Sequence, residues 1–207
     1  NDGYDDMLVG AGPGGGPRVT VFSGLNGAII LDFFAFESTF TGGVNLAAGL
    51  IDGDSNYDII VGAGAGGGPR IKVLSGANLA VIQDFFAYDP TFLGGVYVGS
   101  GNIGGGSFDK ILVGAGAGGG PNVRVFDNSG NMVQNFFAYA VGFSGGVRVS
   151  TGLMSPTSTS ADIITGAGIG GGPNISTFNS LNQPFPLNFF AFDPSFVGGI
   201  FVAGRAS

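Results

Sequence analysis

The chain has 207 residues, with 43 Gly, 20 Phe, 10 Pro and no Cys, His or Trp. The lack of thiol and imidazole excludes disulfides, zinc-thiolate centres, cysteine nucleophiles and Ser-His-Asp catalysis, and 7 Lys+Arg against 14 Asp+Glu give a net charge of -7 that repels nucleic acid and anionic lipid. An apolar fraction of 44% supports a real core, yet Gly, Asn, Ser or Asp breaks every apolar stretch well short of the about twenty residues a membrane helix needs, so neither disorder nor membrane insertion is expected.

The chain opens at Asn1 with no Met and no signal peptide, and it reads as a processed or excised piece of something longer. The first copy of a repeat follows at once: VGAG at 9–12, an Asn-Gly hairpin signal at 26–27, FFA from Phe33 and GGV from Gly42. In the second copy four short runs stand out, at 42–49, 57–64, 69–76 and 80–89. Each is rich in β-branched and aromatic residues, Arg70-Ile71-Lys72-Val73 alternates with period two, and Gly, Pro, Asn and Asp separate the runs. VGAG returns at 113–116 and TGAG at 165–168, a spacing of 52 residues each time, with FFA from Phe85, Phe136 and Phe189 and GGV or GGI from Gly94, Gly145 and Gly198. No stretch has helical periodicity.

Four strands per unit of this length predict an all-β chain, a four-bladed β-propeller in which four ~52-residue, four-stranded repeats form one domain. The repeats run over about 1–41 plus 198–207, 42–93, 94–144 and 145–197. A β-helix would repeat about every twenty residues and a membrane barrel would need strands of roughly ten, and neither pattern is present. The ends are in register: Gly49 to Gly62 and Gly101 to Gly114 are 13 apart, and joining Ser207 to Asn1 gives 13 from Gly204 to Gly10. The expectation is that 198–204 supplies the strand the first blade lacks and seals the ring.

These residues resemble a family. NDGYDDMLVGAG at 1–12, AAGLIDGDSNYDIIVGAG at 47–64, GGGPR at 14–18 and 66–70 and FFAYDPTFLGGV at 85–96 are similar to the FG-GAP/VCBS-type repeats of integrin-like propellers, common in bacterial secreted proteins. The resemblance implies that GGVxVxxG is the innermost strand of each blade and the FFA run the outermost. It also implies calcium in the loop between the first two strands, with Leu50, Asp52, Asp54 and Asp58 at the ligand positions and Asn56 offering its carbonyl. Asx-turns closing a tight loop are the alternative. In the first copy Asp2 and Asp6 match the last two positions, with Arg205 and Ser207 at the first two. The third copy has Asn102, Gly104, Gly106 and Lys110, whose ammonium replaces an ion, and the fourth has Met154, Pro156, Ser158 and Asp162; neither is expected to hold calcium.

The GAGPGGGP-type segments are not phosphate loops, because Pro and a strand follow where a helix or Lys-Ser/Thr is required. After them stand Arg18, Arg70, Asn122 and Asn174, one per repeat, which the family topology places on one face with Glu37, Asp89 and Asp193, and with Ala140 in the third repeat. They are expected either to lock neighbouring blades as Arg–carboxylate pairs or to bind a sugar or a partner's side chains. The paired phenylalanines and Phe40, Phe92, Phe143 and Phe196 are expected to pack between sheets. Asn174-Ile175-Ser176 matches the N-glycosylation pattern only weakly, at a strand start. No unique cluster breaks the repeat as a catalytic site would. The expectation is a non-catalytic, calcium-stabilised, secreted or cell-surface module for adhesion, scaffolding or surface assembly, its partners protein, polysaccharide or further copies of itself. A lectin-like polysaccharide binder, or an accessory domain of a secreted hydrolase, is the alternative.

Overall fold

The computed structural model describes residues 3–154 and 159–204, the side chains of residues 185 and 186 excepted. Fifteen strands follow one another: β1 (Met7–Gly10), β2 (Arg18–Phe22), β3 (Ile29–Phe34), β4 (Val44–Gly49), β5 (Asp58–Ala63), β6 (Arg70–Leu74), β7 (Val81–Phe86), β8 (Val96–Gly101), β9 (Lys110–Ala115), β10 (Asn122–Phe126), β11 (Met132–Phe137), β12 (Val147–Gly152), β13 (Asp162–Ala167), β14 (Asn174–Phe178) and β15 (Pro184–Phe190). They form four antiparallel meanders in a repeated, blade-like arrangement: β1-β2-β3, β4 to β7, β8 to β11, and β12 to β15. No helix is present among the described residues, so none is long and apolar enough to cross a membrane.

Period two explains the packing. Val19, Val21 and Ala35 of the first sheet meet Val44, Ile59, Val61 and Leu74 of the second. Ile60, Ile71 and Val73 then meet Val96, Val98, Ile111 and Val113 of the third, and Leu112, Val123 and Val125 meet Val147, Val149 and Ile163 of the fourth. The inner strands are nearly all buried because they face a neighbour on both sides. The Gly-Gly junctions make so close an approach possible. Gly43, Gly95, Gly146 and Gly199 have φ of 77, 73, 79 and 73°, and a Cβ at Gly64 would collide with the carbonyl of Gly42. The Asn26-Gly27 turn is a hairpin as expected: Ser23 N donates to Ala28 O at 2.8 Å and Gly27 has φ 71°.

The expected pairing of 198–204 with β1 is not formed. β1 pairs with β2 alone, and residues 201–204 have no ladder. The segment instead docks on the fourth sheet as β4 docks on the first: Ile200 N donates to Ala167 O at 3.1 Å, as Val44 N does to Ala11 O at 2.9 Å. Ile200 is buried against Gly166. The segment lies where an inner strand would, against the fourth sheet, but pairs with no strand among the described residues. The physical reason is that the step from sheet to sheet, taken three times, does not bring the fourth sheet round onto the first. Val9 is 48% exposed where its equivalent Val61 is 0%, and Phe192 is 64% exposed where Phe36 is 7%.

Candidate functional site

The polar positions that recur once per repeat meet along the seams between sheets. Arg18 faces Phe34 across β2 and β3, and Arg70, Asn122 and Asn174 face Phe86, Phe137 and Phe190 in the same register. Two residues before each of these rings, on the same face, lies a polar partner. Arg18 Nε donates to Asp32 Oδ1 at 2.7 Å; Arg70 donates through Nε to Asp84 Oδ1 at 2.7 Å and through its terminal nitrogen to Oδ2 at 2.8 Å. Asn122 Nδ2 donates to Asn135 Oδ1 at 2.8 Å, and Asn174 Nδ2 to Asn188 Oδ1 at 3.0 Å. The first partner is therefore within the sheet rather than across the seam. Sequence reasoning missed Asp32, Asp84, Asn135 and Asn188. The signal was there: where Arg becomes Asn, Asp becomes Asn too.

Across the seam, among the described residues, only Arg70 makes the expected lock, with Nη1 at 3.1 Å from Glu37 Oε1. Beside it, Lys72 donates to Ala35 O at 2.6 Å, and Arg70 Cζ and Lys72 Nζ lie 5.3 and 5.2 Å from the centre of the Phe36 ring. The guanidinium holds the Asp84 carboxyl below its usual range, and Arg70 itself is raised by that pair. Glu37 is lowered by its own backbone amide and then by Arg70. Asp89 and Asp193 instead accept from Thr91 and Ser195, through both hydroxyl and amide, which lowers both carboxyls. The second seam has Arg124 in the place of Lys72, donating to Ala87 O at 2.7 Å with its Cζ 4.6 Å from the Tyr88 ring. There a groove of about 420 Å3 opens, lined by Tyr88, Asp89, Phe92, Asn122, Arg124 and Phe137 among others.

The acidic loop of the second repeat is closed by hydrogen bonds. Asp58 is fully buried; its Oδ2 accepts from Ile51 N and Asp52 N at 2.9 and 3.1 Å, and its Oδ1 from Gly76 N at 3.1 Å. Asp52 Oδ1 accepts from Asp54 N, and Asp54 Oδ1 from Asn56 N, two successive Asx-turns. Leu50 N donates to Asp109 Oδ2. Among the described residues no three acids converge, and the loop side chains as placed make Asx-turns and amide contacts. Asp6 repeats part of the Asp58 arrangement, accepting from Gly24 N at 3.1 Å. Asp2, Pro156, Ser158, Arg205 and Ser207 lie outside the described residues. The Lys110 ammonium donates to the loop carbonyls of Ile103 and Gly105.

The Gly-rich turns have their amides committed: Gly14 N bonds Thr41 O and Gly66 N bonds Leu93 O, each at 2.8 Å. The phenylalanine pairs divide. Phe85 and Phe136 pack on Phe126 and Phe178 with centroids 4.9 Å apart, as expected, but Phe34, Phe86, Phe137 and Phe190 are exposed because adjacent strand residues point to opposite faces. Ser176 of the glycosylation pattern is buried.

No family model matches the chain, and no curated protein does. Among solved structures, a protein of unknown function from Bacteroides caccae matches with TM-score 0.43 and 10% identity, over 91% of this chain and 73% of that one. The V. cholerae biofilm matrix protein Bap1 matches with TM-score 0.43 and 15% identity, over 96% of this chain and 38% of that one. Likeness at this level carries no functional argument.

Proposed function

We propose that the chain is a non-catalytic scaffold module of an FG-GAP/VCBS-type propeller, acting outside the cell, and that it assembles head to tail with identical copies. The observation that carries this reading is the match between its two uncovered ends. The rear of the first sheet presents Met7 and Val9, whose equivalents Ile59 and Val61 are buried against a preceding sheet. The front of the fourth presents Phe189, Phe192 and Phe196, whose equivalents in the earlier repeats are at least partly buried against a following one. An apolar face of this kind is costly to leave in water.

The charges match as well. Arg18 occupies the position of Arg70 but has no acid across a seam, and Asp193 occupies that of Glu37 but has no cation among the described residues. Stacking a fourth sheet on the first sheet of a second copy sets Asp193 against Arg18, as Glu37 is set against Arg70. The same movement brings 198–204 to the open edge of β1, completing a four-stranded sheet. Such a contact is heterologous: it grows until a ring closes, or else it makes a filament. The scaffold reading also agrees with the acidic balance and the lack of any repeat-breaking catalytic cluster.

Light scattering over a concentration series tests this. The mass is expected to rise with concentration in whole multiples of the chain; Arg18→Glu and Asp193→Lys are each expected to reduce association, and the double variant to recover it. A monomer at all concentrations overturns the proposal.

A further inference from the structure

We infer that the groove between the second and third sheets receives a guanidinium group, of the kind an arginine side chain of a partner polypeptide presents. The chain contains its own template for this. At the preceding seam Arg70 fills the corresponding space, held between Asp84 of its own sheet and Glu37 of the sheet before, with its Cζ 5.3 Å from the Phe36 ring. One repeat later Asn122 stands where Arg70 would, and the space opens into the groove of about 420 Å3.

What held the guanidinium is still partly in place. Asp89 replaces Glu37, is engaged by Thr91 alone, and has no cation partner among the described residues. Tyr88 replaces Phe36 as the ring, and Phe92 and Phe137 add aromatic walls on which a planar cation stacks. Asn122 is 8% exposed and its Oδ1, an acceptor, has no partner. The third seam offers no such slot, since Ala140 occupies the acid's position. Arg124 does not forbid a second cation, because Lys72 and Arg70 already share the Phe36 ring beside Glu37. It does weaken the site, as does Asn135 in the place of Asp84. The groove lies within one chain, so this inference stands independently of self-assembly.

The test is titration of the full chain with N-acetyl-arginine amide, followed by amide shifts in NMR. The citrulline analogue, which has the same shape and no charge, the lysine analogue and a neutral oligosaccharide serve as competitors in class. Saturable shifts around Gly119, Asn122 and Asn135 with the arginine compound are expected, with the lysine compound several-fold weaker and no saturation by citrulline. Asp89→Asn keeps an acceptor for Thr91 and is expected to lower the affinity about tenfold, the equivalent of ~1.4 kcal/mol. Asn122→Arg supplies the missing group from within, and is expected to abolish binding while raising the melting temperature. Equal binding of citrulline or lysine, binding of the oligosaccharide instead, or arginine binding that survives Asn122→Arg overturns the inference.

Discussion

Arg70 and Asp84 meet in a two-point contact of 2.7 and 2.8 Å across β6 and β7, and the same guanidinium reaches Glu37 of the preceding sheet at 3.1 Å. One side chain thus ties two strands and two sheets. In the third sheet the structurally equivalent pair is Asn122 and Asn135, at 2.8 Å. Two charge-matched solutions therefore occupy one position of the repeat.

The mixed combinations should be the costly ones. Arg70→Asn alone removes the two-point contact to Asp84 and the bond to Glu37, leaving Asp84 only the longer 3.9 Å contact with Lys72, and is expected to cost about 1 kcal/mol, and Asp84→Asn about as much, both near the upper end for exposed pairs. The double variant reproduces the Asn–Asn pair and is expected to recover part of the loss. A double-mutant cycle in urea measures the coupling, and strictly additive losses contradict it.

Acid should loosen this seam. The folded carboxyl of Asp84 is depressed by Arg70, and that of Glu37 by its backbone amide and then Arg70. A group whose folded value is lowered stabilises fully above its unfolded value and loses that contribution as pH falls through the folded one. The melting temperature is expected to be flat from neutrality down to about pH 5 and to decline below about pH 4. Asp84→Asn should make the decline shallower; an identical profile counts against the assignment.

Arg148 is 7% exposed, its Nε has no partner, and no carboxylate pairs with it among the described residues. Its guanidinium lies against both the Tyr97 and Phe201 rings, which meet edge to face, with Cζ 5.2 and 4.7 Å from their centres, and donates to Ala167 O at 3.2 Å. A desolvated ring contact of this kind is worth about 2 kcal/mol, against a cost of several kcal/mol for a buried charge. Arg148→Met should leave the stability unchanged or higher, and a thermal melt that drops markedly would show that the cation is required.

Asp58 is expected to be the acid that matters in its loop. Asp58→Asn removes an acceptor facing a buried amide and is expected to cost about 2 kcal/mol. Asp52→Asn and Asp54→Asn keep the Asx-turn acceptor and should change stability by less than about 0.5 kcal/mol. Melting in millimolar calcium and in excess chelator should coincide. A clear rise with calcium, lost in Asp52→Asn, restores the ion to the loop.

The strands were legible because a 52-residue period and β-rich runs between Gly and Pro clusters announce them four times over. The hairpin at Asn26-Gly27 is equally readable, because it follows from local turn chemistry. The closing of the ring was not, because register in sequence says which strands could pair and not how far each sheet rotates from the last. Pairing of the phenylalanines hides the alternation that half-buries Phe85 and exposes Phe86. Arg18 and Arg70 stand out in the sequence by recurring in register, but their partners Asp32 and Asp84 sit one strand away, and only the ladder register brings them within reach.

The most direct measurement uses the absence of cysteine. Arg18→Cys and Asp193→Cys are made as separate single variants, mixed, and treated with a short bis-maleimide. Head-to-tail stacking predicts a covalent dimer that contains one of each and is absent when either variant is treated alone. No mixed dimer, together with a double variant that links only within its own chain, would mean that the ends meet inside one molecule, and would contradict assembly between copies.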